Sequence, residues 1–249
     1  MESLKKHLER NQTVPVICPH RAGVARDRNM YNVRDRIIFI DAEAIVIDKP
    51  AGLAVHAGPS TRESLEDLLA DLRFGFHRPP APVHRLDRDT SGCLLLSRNP
   101  KAHKRFARTF EEGLAEKTYL AVIDGIPADE EGVIDLALAK VSSREEGWRM
   151  IPDPAGKPTV TAWRVIARAG DRALVRFAPR TGRTHQIRVH AASGLGFPIA
   201  GDPVYGAGKG PMLLHAAALR VPREPKPAID ARAALPETFT KAGFEDAGP

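Results

Sequence analysis

The sequence predicts an α+β fold in which a mixed, mostly antiparallel central sheet is flanked by helices. Three observations carry that expectation. Short β-rich runs recur along most of the chain, two segments have the punctuation of helices, and the two kinds of element mix too irregularly for a doubly wound sheet. No internal repeat or glycine-rich dinucleotide fingerprint is present. At 249 residues, with 43% hydrophobic and 27% charged side chains, the chain can bury a sizeable core and lacks the composition of a disordered one.

Residues 1–36 are basic, contain Pro15 and Pro19 and keep no sustained period, so they are expected as an N-terminal arm. The body is expected over 37–219. Residues 37–40 and 44–47 are β-rich runs around Asp41-Ala42-Glu43, and the second ends in the turn signal Lys49-Pro50-Ala51-Gly52, which predicts a hairpin or meander. Leu65, Leu68, Leu69 and Leu72 recur at helical spacing behind Ser60-Thr61-Arg62-Glu63, which has the spacing of a capping box. Pro79, Pro80 and Pro82 interrupt the chain before a buried strand over 93–97. Asn99 then suits an N-cap with Pro100 at the first helical position, and Gly113 suits the stop. Residues 117–124, 159–166 and 173–178 read as strands, 141–158 as an exposed polar loop, and 220–249 as a loosely ordered Pro/Ala-rich tail.

The formal charge of +6 is unevenly spread. Residues 1–36 carry +4, 84–108 carry +5 and 164–190 carry +6, whereas 41–71 carry −5 and 111–146 carry −7. Such segregation predicts a basic face suited to a polyanion such as nucleic acid. Lys101, Lys104, Arg105 and Arg108 would form part of it on the second helix. Only Cys18 and Cys93 occur, in no paired spacing, so neither a disulfide framework nor a thiolate metal site is indicated. No apolar run is long enough for a membrane span, and a cytoplasmic location is expected.

Two polar strings carry the chemistry. His84-Arg85-Leu86-Asp87-Arg88-Asp89-Thr90-Ser91-Gly92 feeds directly into the buried strand, an arrangement that can hold a side chain rigidly at a cleft. Asp87, flanked by Arg85 and Arg88, is expected as a carboxylate, the form a nucleophile or base needs. The second string, Arg180-Thr181-Gly182-Arg183-Thr184-His185-Gln186-Ile187-Arg188-Val189-His190, follows a strand and is expected to turn into a helix on which Arg183 and Arg188 face different ways. His185 and His190 are spaced poorly for a shared metal, and with His215 they read as satisfied structural histidines. Tyr119 stands out in a chain only 6% aromatic. Kinase, serine-hydrolase and two-carboxylate glycosidase readings each lack required parts.

The string HRLDRDTSG resembles the catalytic signature of the RluA family of pseudouridine synthases, and RTGRTHQIRVH resembles that family's later basic motif. IDKPAGLAVH, KTYLAVIDG, FPIAGDPVYG and LLHA occur in the order the family has them, so the resemblance spans about 37–219. It implies a mixed-sheet catalytic domain that isomerises uridine in RNA to pseudouridine with no metal or organic cofactor. It further implies Asp87 as the catalytic carboxylate at the ribose side of the glycosidic bond, Tyr119 as the ring stacked on the uracil, and Arg188 as the partner of Asp87. Arg85 would take the place of the flipped nucleotide. His84, Arg183 and His185 of the two strings, with Lys104 and Arg108 of the basic helix, are the further substrate-binding candidates. The expected partner is a structured RNA, a tRNA or ribosomal RNA stem-loop, bound by a monomer. Residues 1–36 are too short for the small N-terminal RNA-binding domain of many members. The competing class is an RNA-binding or chaperone protein that keeps the fold without turnover.

Overall fold

The computed structural model describes residues 31–58, 61, 63–143 and 147–245. The expected arm lies outside them up to residue 30. A compact unit begins at Tyr31, ahead of the expected boundary, because a 3-10 turn, Val33–Arg36, sends Val33 into the core with Tyr31 packed beside it.

Twelve strands and four helices follow in the described chain. The strands β1 (Ile37–Ile40) and β2 (Ala44–Lys49) form the expected hairpin. Helix α1 (Leu65–Leu68) makes one α-turn and continues as a 3-10 turn, Leu69–Leu72, with all four leucines buried. Its cap is Ser64, whose N–H and hydroxyl both donate to Asp67, so the capping box lies later than the sequence predicts; Ser60 and Arg62 are outside the described residues. Then come β3 (Ala81–Pro82), β4 (Ser91–Ser97), α2 (Pro100–Glu111) and β5 (Glu116–Ile123). Asn99 caps α2 by accepting the Ala102 N–H at 2.9 Å, as its position predicts. Next are β6 (Glu131–Asp135), β7 (Leu138–Ser143), β8 (Gly147–Pro152), β9 (Val160–Ala169) and β10 (Arg172–Pro179). The chain closes with α3 (Gln186–Val189), β11 (Leu214–Arg223), β12 (Lys226–Arg232) and α4 (Glu237–Lys241).

The main sheet has the strand order β1-β2-β4-β11-β5-β10-β9-β6, with β12 added beside β11 and β3 beside β4. Every pairing is antiparallel except β4 with β11. At that parallel contact Gly92 has φ +107°, and a Cβ there would stand 2.3 Å from the carbonyl oxygen of Ala216. Only glycine lets the string 84–92 enter the sheet between β2 and β11.

Three expectations are corrected. Residues 141–158 are not simply a loop: 138–143 and 147–152 pair as the two-stranded sheet β7–β8, whose mostly exposed side chains leave no hydrophobic alternation to read. The segment after 219 is ordered to residue 245, since β11 runs to Arg223, β12 pairs with it, and Phe239 and Phe244 are buried against the sheet. The boundary at 219 therefore falls inside a strand. The charge segregation also folds away in part, because β6 lies antiparallel to β9 and β5 to β10, and the acidic and basic runs meet as Arg164–Glu131, Arg168–Glu130 and Arg172–Asp124. Such exposed pairs contribute little stability but remove free charge.

Candidate active site

The string 84–92 is pinned from beneath. Leu86 is buried in the core, Asp87 C=O accepts the Thr90 N–H, and Ser91 Oγ lies 2.8 Å from His215 Nδ1. The carbonyl of Arg88 accepts both the Gly52 N–H at 2.9 Å and the Lys49 ammonium at 3.0 Å. Lys49 is fully buried, and its other two protons go to the carbonyls of Pro50 and Leu53, each at 2.8 Å. Burial pulls its pKa down to about 7, against the opposing pull of Asp89 and Asp87. The Lys-Pro-Ala-Gly turn is thus the clamp that fixes the loop bearing Asp87.

The second string is built around Gln186. Its buried amide accepts from the Thr181 hydroxyl and the Arg183 N–H, and donates to Val160 C=O and Thr161 Oγ1 of β9. That leaves the helix only from 186 onward. Arg183 consequently lies in the turn before α3 and not on another face of it, as the sequence predicts. His185 adopts a left-handed backbone, φ +54°, and a hydrogen bond fixes its ring, with Nδ1 2.9 Å from Tyr205 Oη; Nε2 then stands 3.7 Å from Asp87 Oδ2. A strained backbone at such a position is a mark of functional sites. Burial lowers the His185 pKa, with Asp87 opposing.

Arg188 is 5% exposed and connects the two strings. Its Nε and one Nη donate in a fork to Asp202, at 2.7 and 2.8 Å, and the other Nη reaches Asp87 Oδ2 at 3.2 Å. Asp202 is fully buried and also accepts the N–H groups of Val204 and Tyr205. Burial acts to raise the Asp202 pKa, but Arg188 and those two N–H groups outweigh it and hold the carboxyl below its usual range. At Arg188 burial acts to lower the pKa, and Asp202, with Asp87, overcomes it and raises the value. The guanidinium is therefore a fixed cation aimed at Asp87.

Asp87, Arg85, Tyr119, Lys117, Arg183, His185 and Arg188 line one cleft of about 100 Å³. Tyr119 reaches it from β5, and burial raises its phenol pKa, with the charge of Asp87 adding to the effect. Among the described residues no carboxylate pairs with Arg85, Arg180 or Arg183, so these exposed guanidinium groups keep their charge for an anion.

Three candidates lie apart from the cleft lining. His84 accepts the Leu95 N–H at 3.0 Å and stacks on Phe110, and burial pulls its pKa down to about 3; these contacts brace the loop from outside the cleft lining. Lys104 and Arg108 are exposed on α2, and Arg108 is bonded to Glu112. Sequence reasoning missed Asp202, Tyr205 and Lys49, although all three sit inside strings that carried the resemblance. Among the described residues no group of His, Cys, Asp and Glu is arranged to hold a metal ion, and no helix is long and apolar enough to cross a membrane.

Residues 43–193 match the family model described as RNA pseudouridylate synthase. An uncharacterized RNA pseudouridine synthase of Zymomonas mobilis is 54% identical over 213 residues, covering 84% of this chain and 97% of that one. The ribosomal large subunit pseudouridine synthase D of the same organism is 36% identical over 70% of this chain but only 56% of its own length. The structure of human RNA pseudouridylate synthase domain containing 4 superposes with a TM-score of 0.72 at 25% identity, over 84% of this chain and 91% of that one. For the human domain containing 1 the TM-score is 0.68 at 28% identity, over 86% and 87% of the two chains. Sequence and overall fold agree, and the chain belongs to the RNA pseudouridylate synthase family, the isomerases that convert uridine in RNA to pseudouridine.

Proposed function

We propose that this chain isomerises uridine in a structured RNA, with Asp87 as the catalytic carboxylate at the ribose side of the glycosidic bond. The observation that carries the reading is the contact of Arg188 with Asp87 at 3.2 Å, on a guanidinium already saturated on its other edge by Asp202. A carboxylate held by a fixed cation is oriented before substrate arrives, as a nucleophile or base requires. Tyr119 forms the adjacent wall and stacks on the uracil, which must detach, rotate and rejoin through C5 without escaping to water. Arg85 lies at the same cleft with a free guanidinium, suited to fill the gap left in the RNA stack when the uridine flips out. Arg183 supplies phosphate contact at the cleft, and Lys104 and Arg108 extend that contact along α2.

Names among the relatives favour ribosomal RNA over tRNA as the substrate, since the Zymomonas enzyme with 36% identity is named for the large ribosomal subunit. We place the activity in the cytoplasm on the same ground. Mapping pseudouridines in cellular RNA with and without the gene tests this. Loss of one or a few sites from ribosomal RNA is the expected result; loss from tRNA alone would replace the substrate, and no loss anywhere would favour an RNA-binding protein without turnover.

A further inference from the structure

The hairpin β7–β8 stands off the main sheet and plays no part in the chemistry described above, yet it is tied to the cleft. The Met150 N–H donates to Tyr205 Oη at 3.0 Å, and that hydroxyl contacts His185 Nδ1. Trp148, from the same strand as Met150, stacks on the His185 ring with centroids 4.8 Å apart and planes 30° from parallel. The His185 ring in turn lies 3.7 Å from Asp87 through Nε2. Trp148 is nevertheless 46% exposed, which is unusual for the largest apolar side chain. One face of the indole is covered by His185. Lys140 from β7 places its ammonium over the indole ring, 5.2 Å from the centroid. An indole stacked on an imidazole, nearly half exposed and covered on its ring otherwise only by a lysine ammonium that a phosphate can draw aside, has the parts of a nucleobase platform: a π surface for the base and a charge for its phosphate.

We propose that Trp148 and Lys140 form a second RNA-binding site, which receives an unpaired nucleobase flanking the target uridine. The inference rests on the proposed function and deepens it. The substrate uridine would lie in a loop or bulge with at least one splayed neighbour, and not within a continuous duplex, because a base in a duplex has no free face to offer. The stack would also carry recognition inward, since the indole that meets the flanking base rests on the histidine beside Asp87.

Fluorescence of the intact protein tests it. The chain has two tryptophans, and Trp163 is buried at 8% exposure, so Trp148 reports at the surface. The probes are poly(U) as single strand and poly(A)·poly(U) as duplex, with affinity measured separately by anisotropy of labelled RNA. Poly(U) should quench Trp148 and shield it from acrylamide, and duplex should do neither. Trp148→Ala should weaken poly(U) binding by roughly 5- to 100-fold, the range for loss of one base–aromatic stack, while Trp148→Phe keeps most of it. Circular dichroism and Asp87-dependent tritium release with the Phe variant establish that the hairpin change has not unfolded the site. If poly(U) binds with the Trp148 signal and acrylamide access unchanged, or if Trp148→Ala binds as the parent does, Trp148 only anchors the hairpin and the proposal fails. Equal quenching by duplex overturns the requirement for an unpaired base. Absence of binding to either RNA overturns the platform; absence of tritium release from uracil-5-labelled cellular RNA by the folded parent protein is the separate result that would overturn the proposed function.

Discussion

Asp202→Asn separates the support of the site from its chemistry. One carboxylate oxygen of Asp202 accepts from an Arg188 Nη and from the N–H groups of Val204 and Tyr205, while the other accepts only the Arg188 Nε–H, at 2.7 Å. An asparagine can place its single carbonyl oxygen at the first position. Its NH2 must then face the Nε–H, donor against donor, in a fully buried spot. Breaking one partner of a buried ion pair typically costs about 3–5 kcal/mol. Arg188 retains Asp87, so the lower end applies, and about 3 kcal/mol corresponds to a melting temperature lowered by roughly 6–12 °C in a domain of this size. Released on one edge, the guanidinium should close on Asp87 and pull the carboxylate from its pose; a displacement of about 1 Å can cost on the order of 100-fold in rate. The assays are urea unfolding and tritium release from uracil-5-labelled RNA under single turnover with saturating enzyme. The double variant Arg188→Met/Asp202→Asn should recover part of the lost stability, because no buried charge then remains unpaired, yet recover no activity. If Asp202→Asn melts and turns over as the parent does, Arg188 is not held by Asp202 and the account of the site's rigidity is wrong.

Lys49→Met should leave three carbonyls without their shared donor and cost about 3 kcal/mol or more, with a matching fall in melting temperature; parental stability would show that the ammonium is not the clamp. Gly92→Ala forces a Cβ to within 2.3 Å of a backbone oxygen at φ +107° and should cost roughly 3 kcal/mol or prevent folding, measured by denaturant titration, whereas a neutral result would refute the close approach of β4 and β11. Acid should destabilise the protein before its carboxylates titrate. Buried His190 contacts Thr159 through Nε2, its Nδ1 has no partner among the described residues, and burial lowers its pKa to about 4. A lowered folded-state pKa means that the unfolded chain binds the proton more readily, so this contribution is complete above about pH 6.5 and is lost as pH falls toward 4. His84 acts in the same direction down to about 3. Urea midpoints should therefore fall across that range, and His190→Gln should flatten the fall; an unchanged slope would show that His190 is not the group responsible.

The sheet, the helix behind Asn99 and the two motif strings are legible in the sequence because each rests on local periodicity or punctuation. What brings them together is not local. Arg188 and Asp87 lie 101 residues apart and meet only because β10 and β4 are brought to one cleft through β5 and β11. Asp202 is invisible as a site residue for a similar reason: a lone Asp before a proline reads as a turn former until Arg188 is seen docked on it. His84 shows the opposite case, being adjacent in sequence to the catalytic loop but turned into the packing against Phe110. The β7–β8 hairpin is hidden by its charge, since a two-stranded ribbon with both faces partly wet keeps little hydrophobic alternation. The segregated charges fail as a map of the surface because antiparallel pairing of β6 with β9 lays the acidic run along the basic one.

The central claim is that Asp87 performs the isomerisation, and Asp87→Asn tests it most directly. The side chain is partly exposed, and Arg188 keeps its fork to Asp202 without it, so the variant should fold and melt close to the parent. RNA affinity, carried by many phosphate contacts, should change little and keep its salt dependence. Single-turnover tritium release from uracil-5-labelled RNA should fall by roughly 10⁴-fold or more, the scale seen when an essential catalytic group is removed. A folded, RNA-bound Asp87→Asn protein that still releases tritium at a rate near the parent's would contradict the account.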